Sequence, residues 1–193
     1  MRPISALVLA AALLVIPSLV VSAQSPNGPE LFTAFSASVG TGKTALVEFR
    51  VTRWSTDEER QRLLDALIEK GQDGLLVAVM SRPPCGTIRS LNSAWYIYPW
   101  NYYYARQTPT PDGRRHIVLA TGRRVPLSGA FNNTRSMQDQ FTLVELHVDK
   151  NGKGEGKLVP AAKVSWDAKD KRIEIENYSA LPSALLSVQA NPL

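Results

Sequence analysis

The sequence predicts an α+β domain: an antiparallel β-barrel or sandwich with a helical hairpin inserted after the second strand. Three observations carry this expectation. Short runs such as TALVEFRV and FTLVELHV alternate apolar and polar residues, the period of a half-buried strand. Turn-rich segments (GTGK, PTPDG, KNGKGEG, DAKDK) separate these runs at the spacing of all-antiparallel architectures. One stretch, 56–81, abandons the alternation and places apolar residues at helical spacing.

The chain begins with Arg2, then an almost wholly apolar run from Leu7 to Val21 broken by Pro17, then Val21-Ser22-Ala23. That pattern predicts a secretory signal peptide over 1–23. The run is shorter than the about 20 residues a membrane span needs. No Cys follows it, so no lipid-anchored start is expected, and no later segment reads as a span. Residues 24–30, QSPNGPE, predict a flexible lead-in, and 31–193 a single β-rich domain. The chain beyond Ala23 carries 21 basic and 17 acidic residues, a spread net charge of +4. Nucleic-acid binding calls for a denser basic patch interleaved with aromatics, so no nucleic-acid partner is expected.

The first two strands, LFTAFSASV and TALVEFRVTRW, flank ASVGTGKT, Ala37 to Thr44. This matches a loose phosphate-loop pattern, but such a loop must open a helix at its Lys-Thr. Residues after Thr44 alternate as a strand, with Ala45, Val47, Phe49 and Val51 on one face. The reading is a hairpin turn, with Gly40 and Gly42 supplying positive φ, and no nucleotide. Next, Ser55 or Thr56 can cap a helix, with Glu58 or Glu59 three residues on. Leu63, Leu64, Leu67 and Ile68 form its apolar face, and Gly71 suits its end. DGLLVAVMS predicts a second helix, stopped by Pro83-Pro84. After Gly86 the chain reads as strands to its end, with Thr142, Val144, Leu146 and Val148 on one face and Ile173 and Ile175 inward.

The lone cysteine, Cys85, can form no internal disulfide, so the fold rests on its core. The run from Trp95 to Tyr104 holds seven aromatics. If extended, Trp100, Tyr96, Tyr98, Tyr102 and Tyr104 share a face, and Pro99 keeps the stretch off a central strand position. Aromatic rings with polar edges suit a ligand or partner surface; the competing reading is a core-facing strand. With Trp95, these residues are the candidate ligand contacts. A cavity inside the barrel, under the helices, is a second candidate.

No catalytic residue is assigned: the chain has no G-x-S-x-G elbow. Asp149 to Glu155, DKNGKGE, reads as a hairpin turn, since it lacks the alternating oxygen ligands of a calcium loop. No metal or other cofactor is expected. The alternative is His116, Glu145 and His147: the last two project from one strand face, and a neighbouring strand could add His116.

The segments FRVTRWSTDEERQRLLDAL, GQDGLL, YARQTPTPDGRRHIVLATGR, QFTLVELHVDKNGKGEGKL and KRIEIENY, in this order, resemble an uncharacterised family of exported bacterial proteins. The resemblance spans Phe35 to Tyr178 and implies bacterial origin and export; it implies no activity, cofactor or site residue. The aromatic insertion NSAWYIYPWNYYY is longer than the family pattern. The functional expectation is an exported protein, periplasmic or extracellular, that binds a ligand or an envelope partner without catalysis. The alternatives are a metal-assisted or acid/base hydrolase and a structural envelope protein.

Overall fold

The structure, a computed structural model, describes residues 28–38, 42–92, 99–125, 141–177 and 182–193. The expected signal peptide (1–23), most of the expected lead-in, Gly40, Trp95, Tyr96 and Tyr98 lie outside the described residues. The described chain forms β1 (Glu30–Ser38), β2 (Thr44–Val51), α1 (Asp57–Met80), β3 (Gly86–Ser90), β4 (Trp100–Tyr102), β5 (Tyr104–Pro109), β6 (Arg115–Thr121), β7 (Phe141–Val148), β8 (Lys153–Asp167), β9 (Arg172–Asn177) and β10 (Ser183–Pro192). All strands join one antiparallel sheet in the order β4-β3-β2-β1-β10-β8-β7-β6-β5, with β9 paired to β8.

The sheet curls around a core but is not closed into a barrel, which corrects the barrel form of the expectation. Its hydrogen-bonded path ends at β4 and β5. These two edges are consecutive in sequence: β4 pairs with β3, and after Tyr103 the chain continues as β5 against β6. A single bond from Tyr103 N to the Ala120 carbonyl, 2.9 Å, spans the seam.

The alternating runs bury one face inside the curl. Phe32, Val47, Phe49, Val51, Ile117, Leu119, Leu146, Val148 and Leu185 are fully buried there. Each such burial stabilises the fold by roughly 1.5–3 kcal/mol. Inside the curl, the gap beside Phe49, Ile88 and Tyr102 measures about 10 Å³, too small for a ligand. One mouth of the interior is plugged by ions, with Arg115 making a two-pronged pair to Glu30 across β1 and β6 at 2.7 and 2.9 Å.

The ASVGTGKT stretch is the β1–β2 hairpin. Thr44 opens a strand, not a helix, and Ala37 faces Thr44 in the register. Ser38 N donates to the Lys43 carbonyl at 2.9 Å, and Gly42 has φ of 63°, a conformation that favours glycine.

The helical insert forms one element, α1, divided into two helical halves by a non-helical break at Gly71. Thr56 and Glu59 form the capping box, and α1 runs to Met80 with a break at Gly71 (φ 65°, ψ −157°). The break turns the chain sharply enough that Arg82, just past the end of α1, pairs with Glu59 in its first turn. Both halves lie on the outer face of the sheet, where Leu63, Leu67 and Val79 pack against Phe141, Val159, Ala162 and Val164.

A bulge in β8 makes that contact possible. Leu143 faces Val159, but Phe141 faces Ala162, so one extra residue lies beside Pro160. The shift flips the outward parity, so that Ala162, Val164 and Trp166 follow Val159 on the helix side. Thr142 Oγ1 holds the bulge by donating to the Pro160 carbonyl at 3.1 Å.

Candidate functional site

The outer face of β5, β6 and β7 is organised in cross-strand rows. Thr108, His116, His147 and Glu155 form the first row, and Arg106, Val118, Glu145 and Lys157 the second. Tyr104, Ala120, Leu143 and Val159 form the third. Polarity therefore falls from the first row to the third, and α1 covers the apolar end. β6 explains why: RHIVLA is nearly continuous in apolar residues, the pattern of a strand covered on both faces.

Between α1 and this face lies a groove of about 450 Å³. Its apolar walls come from Leu63, Leu64, Leu67, Leu75 and Val79 on the helix and from Val118, Ala120, Phe141, Leu143 and Val164 on the sheet. Ile173 and Ile175, expected to point inward, line the groove instead and remain 47% and 56% exposed. They sit on β9, past the β8 bulge, opposite Trp166 and Val164.

Three nitrogen-bearing side chains line the same groove: the guanidinium groups of Arg60 and Arg106 and the imidazole of His116. Arg106 and His116 belong to the two polar rows. Arg106 pairs with Asp57 at 2.6 Å, but Asp57 is 81% exposed, and such surface pairs contribute little. The Arg60 side chain has no ion-pair partner among the described residues.

Next to the groove, Glu145 gathers three cationic or imidazole side chains. His116 Nε2 lies 2.8 Å from Glu145 Oε1, and His147 Nε2 lies 3.4 Å from the same oxygen. Lys157 Nζ reaches the other oxygen at 2.6 Å. The imidazoles stack, with centroids 4.8 Å apart and planes 15° from parallel. Their closeness follows from register, because His116 and His147 are direct cross-strand partners. Burial pushes the Glu145 carboxyl up, but hydrogen bonds and charge from Lys157 and His116 outweigh it and hold the group below its ordinary value. Glu145 is thus a carboxylate at neutral pH. The structure brings together the three residues that sequence spacing could only offer as an alternative.

The aromatic run does not present one face. Tyr102 is buried in the core, where its hydroxyl donates to the Arg50 carbonyl at 2.7 Å and burial raises its pKa. Trp100 packs against the same core. Tyr104 lies on the opposite side, lining the groove, and burial raises its pKa as well. The break at Tyr103 between β4 and β5 resets the alternation, which corrects the shared face expected for Trp100, Tyr102 and Tyr104. Of the predicted ligand contacts that are described, Tyr104 alone borders the groove.

Sequence reasoning missed Arg60, Arg106 and the helix leucines as site residues. The available signal was an excess of apolar surface: both faces of β6, and more leucines on α1 than one stripe needs. Cys85 is a packed thiol, 3.6 Å from Ser55 Oγ and fully buried. The Asp149 loop is a β-turn, its Oδ1 accepting from Asn151 N and Lys153 N at 2.8 and 2.9 Å. Among the described residues no helix is long and apolar enough to cross a membrane. Comparison with protein-family models, with curated protein sequences and with solved structures finds no match for this chain.

Proposed function

We propose that this is an exported binding protein whose groove between α1 and the outer sheet face takes an anionic amphiphile, an unbranched apolar chain ending in an acidic head. The observation that carries the reading is the groove's composition: apolar walls from helix and sheet, with the Arg60 and Arg106 guanidinium groups as its cationic lining. Its about 450 Å³ falls within the usual range of small-molecule sites. The weak Asp57–Arg106 pair lets the guanidinium turn from its surface partner to a bound carboxylate, which can accept two parallel bonds. Export rests on the signal-peptide pattern of 1–23.

The test is a titration series on the purified exported chain. Burial contributes about 0.8 kcal/mol per methylene, close to a fourfold change in Kd. Affinity for octanoate, decanoate and dodecanoate, each two methylenes longer than the last, should rise by up to about 15-fold per step, and the alcohol of equal length should bind more weakly. Val118→Trp, which fills the groove from the middle row, should abolish binding while leaving the unfolding midpoint nearly unchanged. Absence of saturable binding across the series, or full binding by Val118→Trp, refutes the proposal.

A further inference from the structure

We propose that His116, Glu145 and His147 bind one divalent transition-metal ion of the zinc class, with a fourth position left for water. Two imidazole nitrogens and a carboxylate oxygen are a donor set that zinc accepts, and three protein ligands with one open position is the arrangement of reactive rather than structural zinc. The three donor atoms lie within 4.8 Å of one another. Zinc bonds of about 2.0–2.1 Å at tetrahedral angles place donors about 3.3 Å apart. His147 Nε2 and Glu145 Oε1 stand at 3.4 Å, and His116 Nε2 and the same oxygen at 2.8 Å. The widest spacing, 4.8 Å, exceeds this, so the part-exposed imidazoles must turn toward the ion as it enters.

The hydrogen bonding favours this over a self-satisfied polar cluster. His116 alone makes a hydrogen bond to Glu145 Oε1. His147 Nε2 faces the same oxygen without hydrogen-bonding it, and among the described residues that nitrogen has no other hydrogen-bond partner. That nitrogen is therefore not committed to a hydrogen bond within the cluster. The ligands are built on adjacent paired strands, so register and ring stacking fix their separation before any ion arrives. Lys157 occupies Oε2 and so orients the carboxylate with Oε1 toward the imidazoles, the task of an outer-shell partner. Lys157 is 59% exposed and can swing away as the ion enters, which limits its charge repulsion. All three ligands are part-buried, with side chains 28–40% exposed, which leaves a cation a path in and a water a place to sit.

The proposal concerns the cluster and is independent of any groove ligand. Equilibrium dialysis of the metal-stripped exported chain against zinc, with no amphiphile present, tests it. The expected result is one zinc per chain. His147→Ala and Glu145→Ala should each weaken binding by at least about 10-fold, the scale lost even with an outer-shell partner. His147→Gln guards against misfolding and should show the same loss with an unchanged circular dichroism spectrum. Lys157→Met should retain or tighten binding, because it removes a positive charge and leaves the three ligands. Failure of the wild-type chain to bind zinc overturns the inference. So does zinc that persists at full stoichiometry in a His116→Ala/His147→Ala variant, which places the ion elsewhere.

Discussion

Replacing Arg115 by Met should destabilise the protein by about 3–5 kcal/mol, the cost of stranding one member of a buried ion pair. The reasoning starts from geometry. Arg115 Nη2 meets Glu30 Oε1 at 2.7 Å, Nη1 meets Oε2 at 2.9 Å, and Nη1 also meets Gln107 Oε1 at 3.0 Å. The two side chains are only 14% and 8% exposed. Desolvating both ions costs several kcal/mol each, and their attraction roughly offsets that cost only while both are present. Methionine matches the aliphatic stem but leaves the Glu30 carboxylate at the mouth of the core without a cation. For a chain of this size each kcal/mol moves Tm by about 2–4 °C, so the loss should be about 6–20 °C. The assay is urea unfolding of wild type, Arg115→Met, Glu30→Leu and the double variant. The double variant should recover to within about 1 kcal/mol of wild type, because an apolar pair of similar volume is often neutral in place of a buried ion pair. If Arg115→Met costs under about 1 kcal/mol, the pair is effectively solvated and the ion plug is wrong. If the double variant loses the sum of the two singles, the two residues do not act as a pair.

Two further outcomes test the helix and the carboxylate cluster. Gly71→Ala should cost about 1–3 kcal/mol of stability from backbone strain alone, since a Cβ there meets nothing within 4 Å but φ is 65°; an unchanged urea midpoint means α1 runs straight through. The folded-state pKa of Glu145 is depressed, so the stability it contributes is present above its unfolded value of about 4.3 and is lost as pH falls through the folded value. Wild type should therefore exceed Glu145→Gln in urea midpoint at pH 7, with the difference shrinking by pH 3; a difference that grows on acidification refutes the assignment.

The strands were legible because a two-residue period survives wherever one face is buried. TALVEFRV and FTLVELHV place Val47, Phe49, Val144 and Leu146 in the core as the alternation requires. The capping box at Thr56 and the turn at Gly42 are short-range chemistry and were legible for the same reason. The readings that failed depended on one residue changing the count. Tyr103 splits the aromatic run and sends Tyr102 and Tyr104 to opposite sides. The Pro160 bulge turns Ala162 and Val164 toward the helix. Neither of these changes composition or period enough to be read locally, because each is decided by what the flanking residues find to pack against.

Sequence alone determined the strand alternation, the start and length of the helical segment, the hairpin at ASVGTGKT and the signal-peptide pattern. All of these arise from interactions within a few residues of one another. Tertiary structure alone decided that the sheet stays open at Tyr103, that α1 covers its outside and that a groove lies between them. It also decided that His116 meets His147 over Glu145, residues 29 apart along the chain in the His116–Glu145 contact. Cross-strand register sets that meeting, and register depends on the whole sheet assembling at once.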